Sequence, residues 1–134
     1  MGTGQPTEPR VFVSHSHADN DYAREFVAAL RKGLNDADDS RKLVWYDEHN
    51  LGWGVLHQEI DKQLTQRQHF IAIVSPDAVT SAWVDREIYA ALYLLDVKKT
   101  MQTFQLVTAA KCEVAPTLQG YIRIEAPLGQ AYPP

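Results

Sequence analysis

The chain has 134 residues, of which 45% are hydrophobic and 22% are charged, a size and composition that suit one soluble globular domain. Its formal net charge of −4 and the lack of a basic face argue against general nucleic-acid binding. No apolar run reaches the ~18 residues of a membrane-spanning helix, and the single cysteine excludes an internal disulfide. We therefore expect a cytoplasmic domain that contacts neither a membrane nor nucleic acid directly.

Both ends of the chain differ in composition from its middle. Residues 1–9 are polar and contain two prolines, which predicts a disordered leader. Residues 127–134 are rich in proline and glycine and resemble a linker. The predicted domain is therefore 10–126, and a domain that ends in a linker suggests that the natural protein continues.

The first half of the chain alternates short apolar runs with amphipathic stretches. The runs at 10–14 and 43–46 predict buried strands. Between them, an apolar residue every four positions over 22–34 predicts a helix that Asp19 or Asn20 caps. Asp47–Gly54, with two glycines, predicts an ordered loop rather than a helix. The next helix is marked by Leu56, Ile60 and Leu64.

The second half continues the alternation. Residues 70–75 form the clearest buried strand, which Pro76 stops. Thr80 or Ser81 caps a third predicted helix, and 103–108 and 121–124 predict two further strands. The apolar stripe of that helix consists of Val84, Ile88, Leu92 and Leu95.

This order of elements predicts an α/β fold with helices on both faces of a parallel sheet. For five strands we expect the flavodoxin-like, three-layer arrangement with strand order 2-1-3-4-5. Such folds bind ligands where the strand order reverses, at the carboxyl ends of the first and third strands. Ser14 and Ser75 end those strands.

Trp83 and Glu87 are four residues apart, one turn from each other on the third predicted helix, beside its apolar stripe. The pair suits cleavage of a nicotinamide–ribose bond. A carboxylate stabilises the oxocarbenium-like charge, and an indole stacks on the pyridinium with a cation–π attraction of ~0.5–2 kcal/mol. The pyridinium departs as neutral nicotinamide, so no general acid is required. The structural alternative is a core tryptophan and a solvent-exposed glutamate.

Two further polar segments are candidates. The cluster from Ser14 to Asp19 contains His15 and His17, but a metal site lacks a third ligand, and a serine hydrolase lacks its G-x-S-x-G turn. Asp47 opens the glycine-containing loop, on which Trp53 either meets a partner or folds back on the domain. Neither a dinucleotide-binding glycine motif nor a phosphate-binding loop is present.

Four segments in this order resemble the TIR (Toll/interleukin receptor) domain family over about residues 10–124. Val11–Asp19 is similar to its first box, and Trp45–Asp47 followed by Leu51–Gly54 is similar to strand B and the BB loop. Ile73–Pro76 and Ser81–Glu87 resemble strand C and the Ser-x-Trp-x-x-x-Glu signature of helix C. The sequence departs at Val84, often cysteine in the family, and in a short region after the fourth strand.

The resemblance implies an NAD⁺ nucleosidase that gives nicotinamide and linear or cyclic ADP-ribose, with Glu87 catalytic and NAD⁺ as substrate rather than cofactor. Trp83, Ser14, His15 and Asp47 would bind the nucleotide. Gly52, Trp53 and Gly54, in the BB loop, would mediate contacts between copies. Short domains of this kind resemble bacterial anti-phage effectors that a fused or partner sensor activates by oligomerisation.

Two alternatives stay open. One is a catalytically silent adaptor that acts by homotypic contact, although adaptors of the family often lack the helix-C glutamate. The other is an enzyme similar to nucleoside deoxyribosyltransferases, which would form a covalent glutamyl intermediate.

Overall fold

The computed structural model describes residues 9–47, 53–79, 82–109 and 122–125. For 53–58, 82–85 and 122–125 it describes the backbone but not the side chains. Apart from Pro9, the predicted leader and tail lie outside these ranges. The described elements follow one another as β1 (Val11–Ser14), a 3₁₀ turn (His17–Asp19), α1 (Asn20–Gly33), β2 (Val44–Trp45), α2 (Trp53–Thr65), β3 (His69–Val74), α3 (Pro76–Val79), α4 (Ala82–Asp96), β4 (Thr103–Thr108) and β5 (Ile122–Glu125).

The five described strands form one parallel sheet in the order β2-β1-β3-β4-β5, which confirms the predicted topology. The predicted bounds of β4 are also confirmed, and those of the other strands differ by one or two residues. Since all strands are parallel, their carboxyl ends lie at one edge of the sheet, which is named the carboxyl edge below.

A row of aromatic rings crosses four neighbouring strands. Phe12 is in register with Trp45 on one side and with Phe70 on the other, and Phe70 is in register with Phe104. The ring centroids are 5.0, 5.6 and 5.1 Å apart along the row from Trp45 to Phe104. Because aromatic pairs add ~0.5–1.5 kcal/mol each beyond their buried area, the row favours this register over a shifted one.

The two faces of the sheet have separate cores. On the face of the aromatic row, α2 and α4 contribute Ile60, Leu64, Ile88 and Ala91. On the other face, Tyr22, Ala23 and Val27 of α1 pack against Val11, Val13, Ile71 and Ile73. This is the predicted three-layer arrangement. None of the helices in the described ranges is long and apolar enough to cross a membrane.

The structure adds to or corrects the predictions at three places. Asp19 is the N-cap residue of α1, as predicted, but its side chain makes no capping hydrogen bond, and the amide oxygen of Asn20 accepts from His15. Helix α2 begins at Trp53, so Trp53 and Gly54 lie in a helix rather than in a loop. The short helix α3 was not expected, since four residues carry no periodicity; it begins with Pro76, whose fixed φ suits a first helical position.

Candidate active site

Glu87 lies on the buried face of α4. It is 4% exposed and precedes Ile88 and Ala91, which pack against the sheet. The sequence placed Glu87 beside the apolar stripe, and the structure corrects this, because the buried face of α4 is centred on Glu87, Ile88 and Ala91. The alternative of a solvent-exposed glutamate is thereby wrong.

The carboxyl group of Glu87 meets polar residues from two strand ends. Ser14 ends β1 and is 1% exposed, and Asp47 follows β2 by two residues and is 7% exposed. Both influence the ionisation of Glu87. Three of the predicted site residues therefore converge at the carboxyl edge, next to β1 and on the side of β2.

Burial, with a smaller contribution from the negative charge of Asp47, raises the pKa of Glu87 to about 8. The Ser14 hydroxyl opposes the rise as a polar neighbour of the carboxylate, although among the described residues it makes no hydrogen bond of ordinary length and angle. At neutral pH the carboxyl group is consequently protonated in the majority of molecules. A positive charge placed nearby would favour its ionised form.

The two histidines of the first box occupy different environments. His15 is 3% exposed, and its Nε2 lies 2.8 Å from the Oδ1 of Asn20. Burial lowers the pKa of His15, so the neutral ring donates from Nε2 to this amide oxygen. His17 is half-exposed, and its Nε2 lies 3.4 Å from the Oδ2 of Asp47. His17 thus links the loop after β1 to the residue that flanks Glu87.

The loop after β1 is also held from the side of β3. The hydroxyl of Ser75, which follows β3, donates to the carboxylate of Asp19. The same hydroxyl oxygen accepts the backbone N–H of Ala78 and so caps α3. Sequence reasoning missed this residue as an anchor, although a serine directly before proline is a recognisable helix start.

The remaining predicted site residues fall outside what the structure describes. Trp83 lies in the first turn of α4, Trp53 and Gly54 lie in the first turn of α2, and their side chains are not among those described. Gly52 lies outside the described residues altogether. Among the residues that are described, no group of three or more His, Cys, Asp or Glu side chains could hold a metal ion.

Comparisons with known proteins agree on one family. The family model of the TIR domain matches residues 11–127. A curated relative, the 2′ cyclic ADP-D-ribose synthase BtTIR of Bacteroides thetaiotaomicron, is 34% identical over 79 residues. That match covers 58% of this chain and 25% of the relative, so the chain spans about a quarter of the length of that protein.

A solved structure with a similar fold is the TIR domain of the Toll-related receptor TRR-2 from the lower metazoan Hydra magnipapillata. It superposes with a TM-score of 0.66 at 13% sequence identity, and the match covers 86% of this chain and 82% of that one. At this identity the likeness supports the fold alone.

The raised pKa of Glu87 predicts a pH-dependent effect of Glu87→Gln on stability. A carboxyl group whose pKa rises from 4.5 unfolded to about 8 folded favours the folded state below pH 4.5, and this contribution is lost as pH rises through 8. Urea unfolding should therefore show similar stabilities for wild type and variant at pH 5. At pH 9 the variant should be more stable by a few kcal/mol, since one pKa unit corresponds to about 1.4 kcal/mol.

The matched control is Glu25→Gln, which removes the same charge from an exposed position of α1. It should shift stability little at either pH. An equal effect of Glu87→Gln at pH 5 and pH 9 would contradict the raised pKa.

Proposed function

The chain belongs to the TIR domain family, and from this premise we propose that it cleaves NAD⁺ at the nicotinamide–ribose bond, with Glu87 as the catalytic carboxylate. The observation that carries the proposal is the burial of this one carboxyl group at the carboxyl edge, between Ser14 and Asp47. The relative named as a cyclic ADP-ribose synthase supports NAD⁺ chemistry in the family.

The reaction breaks the bond between the ribose C1′ and the pyridinium nitrogen. The bonding electron pair leaves with the nitrogen, so nicotinamide departs neutral and needs no proton. Positive charge develops at C1′ and the ring oxygen, and a buried carboxylate stabilises it more than an exposed one would. A water molecule or a hydroxyl of ADP-ribose itself then bonds to C1′ and loses its proton, which gives the linear or the cyclic product.

The positive charge of the substrate favours ionisation of the Glu87 carboxyl group, which is mostly protonated in the free protein. A pyridinium next to Glu87 favours ionisation, because an opposite charge lowers the pKa of an acid. Binding of NAD⁺ should thus release a proton from Glu87 and form the reactive carboxylate only when substrate is present.

The neighbouring residues take supporting roles in the proposal. The Ser14 hydroxyl lies beside the Glu87 carboxyl group, makes no hydrogen bond of ordinary geometry with a described residue, and could turn to a ribose hydroxyl. Asp47 holds His17 and adds negative potential opposite the cationic ring. His15 forms a buried wall with its Nε2 occupied by Asn20. Trp83, one turn before Glu87, stacks on the nicotinamide.

Glu87→Gln should abolish nicotinamide release while the domain stays folded. The amide keeps the size of the side chain but cannot carry the charge that stabilises the transition state, so kcat should fall about a hundredfold or more. Nicotinamide release would be followed by chromatography, with Glu25→Gln as a control that should remain fully active. A folded Glu87→Gln protein with wild-type turnover would refute the assignment. A covalent glutamyl intermediate would instead indicate deoxyribosyltransferase-like chemistry.

The pH dependence provides an independent check. Because free enzyme must lose a proton from Glu87 before or during binding, kcat/KM should rise with pH and level off above about 8. In the substrate complex the pyridinium lowers the pKa, so kcat should level off at a lower pH than kcat/KM. Identical profiles of both parameters, flat from pH 6 to 9, would rule out a protonated resting state.

We further propose that the domain acts in bacterial immunity and is activated by self-association under the control of a sensor. An open site at the sheet edge offers few groups to enclose a dinucleotide, and the sequence has no glycine-rich loop for its diphosphate. A second copy could complete the enclosure through the segment with Gly52, Trp53 and Gly54. Such a head-to-tail contact extends into filaments unless it closes on itself.

Specific activity should therefore rise with protein concentration and with tethering to a surface. Trp53→Ala should weaken this dependence, because apolar aromatic anchors contribute strongly to interfaces. The measurement is nicotinamide release per molecule over a wide concentration range, with and without a crowding agent. Activity per molecule that stays constant in both proteins would show that a monomer suffices.

A further inference from the structure

Strand β2, at the edge of the described sheet, borders a cavity of about 350 Å³. Strand β2 pairs with β1 on one side, and its other side faces this cavity. Side chains of α1, of the segment before β2 and of α2 complete the lining. The volume is within the range of small-molecule sites, ~300–1,000 Å³.

Three cationic side chains from different parts of the chain line the cavity: Arg31, Lys42 and Arg67. Arg31 comes from α1, Lys42 precedes β2, and Arg67 follows α2. Asp39 is the carboxylate that pairs with two of them, at 3.4 Å from the Nε of Arg31 and 3.1 Å from the Nζ of Lys42. The lining also includes two further carboxylates, Asp47 and Glu59.

Arg67 is the most buried of the three, at 6% exposure. Its guanidinium donates to neutral acceptors: the carbonyl oxygen of Leu43 at 2.7 Å, and the amide oxygen of Gln63 at 2.9 and 3.1 Å. Burial lowers the pKa of Arg67 to about 10, and Arg10 adds repulsion. The negative charge of Asp39 opposes this lowering of the pKa. Arg67 nevertheless makes no direct ion pair with a described residue, and a largely buried guanidinium of this kind favours a bound anion.

The two other lining carboxylates, Glu59 and Asp47, contact residues other than the three cations. Glu59, in α2, accepts a hydrogen bond from the side-chain amide of Gln63, whose oxygen in turn accepts from Arg67. Asp47 contacts His17 at the candidate active site. Among the described residues, Asp39 is thus the lining carboxylate that pairs directly with these cations.

We infer that this cavity binds the phosphoryl group of a small molecule between Arg31, Lys42 and Arg67. Guanidinium groups match the geometry of phosphate oxygens. Arg31 donates from Nη2 to the carbonyl oxygen of Val44, while its buried Nε–H, 3.4 Å from Asp39, makes no hydrogen bond of ordinary geometry with a described residue. Trp45 and Tyr46 provide aromatic walls for the organic part of such a ligand, and the guanidinium of Arg31 lies 5.7 Å from the centre of the Tyr46 ring.

The phosphoryl group has two possible sources. It belongs either to a separate phosphorylated metabolite or to the diphosphate of NAD⁺, because Asp47 borders both this cavity and Glu87. The second source rests on the proposed function, whereas the existence of the site does not.

The test is an NMR titration of the ¹⁵N-labelled chain with inorganic phosphate and with AMP. Lys42→Glu reverses a charge on a side chain that is 76% exposed, so the fold should be retained, as a thermal melt would verify. Arg24→Gln, on an exposed part of α1, is the matched control. We expect saturable shifts around the cavity in wild type and Arg24→Gln, and binding about tenfold weaker in Lys42→Glu. Shifts that do not saturate, or equal affinity in the two variants, would overturn the inference.

Steady-state kinetics separate the sources. A raised KM for NAD⁺ in Lys42→Glu with unchanged kcat would assign the site to the substrate diphosphate. An unchanged KM together with weakened phosphate binding would assign it to a separate ligand. If wild type shows no NAD⁺ cleavage, the titration still decides whether the site exists, so failure of the proposed function and failure of this inference are distinguishable.

Discussion

The aromatic row from Trp45 through Phe12 and Phe70 to Phe104 is the constraint on which the rest of the structure depends. Each ring is in register with the next, so the row fixes how far four parallel strands are displaced against each other. A shift of one residue in any of them would move its ring to the face covered by α1. With the register fixed, the strand ends that carry polar side chains lie together at the carboxyl edge, and the site is a consequence of core packing.

The polar residues at the carboxyl edge form two groups with different surroundings. On the side of β3, the hydroxyl of Ser75 serves both Asp19 and the start of α3, which holds the loop after β1 in place. On the side of β2, Ser14 and Asp47 surround the carboxyl group of Glu87. The first group is occupied with hydrogen bonds inside the protein. In the second, the Ser14 hydroxyl lies beside Glu87 but makes no hydrogen bond of ordinary geometry with a described residue. On the proposed function, this difference separates the ligand site from the structural anchor at the same edge.

The strand order and the convergence of Ser14, Asp47 and Glu87 could be predicted because they depend on periodicity and on the geometry of parallel sheets. The burial of Glu87 could not, since an apolar stripe is identified by its apolar members and a charged residue within it interrupts the pattern. The start of α2 at Trp53 was missed because glycine weighs against a helix locally, whereas packing of Ile60 and Leu64 against the sheet outweighs that propensity. The engagement of Asn20 by His15 depends on contact between side chains five residues apart, which no propensity describes.

A buried glutamate with a raised pKa conflicts with stability, and such local conflicts are expected at functional sites. On the proposed mechanism the conflict also provides selectivity. Oxidised NAD⁺ brings a pyridinium that lowers the pKa of Glu87 and then leaves as a neutral molecule. The reduced dinucleotide has a neutral dihydropyridine, which would meet a protonated carboxyl group and would have to depart as an anion. Burial destabilises the domain when Glu87 is ionised, and it therefore restricts the reactive carboxylate to complexes with a cationic substrate. A solvent-exposed glutamate would be ionised at all times and would not discriminate between the oxidised and the reduced dinucleotide.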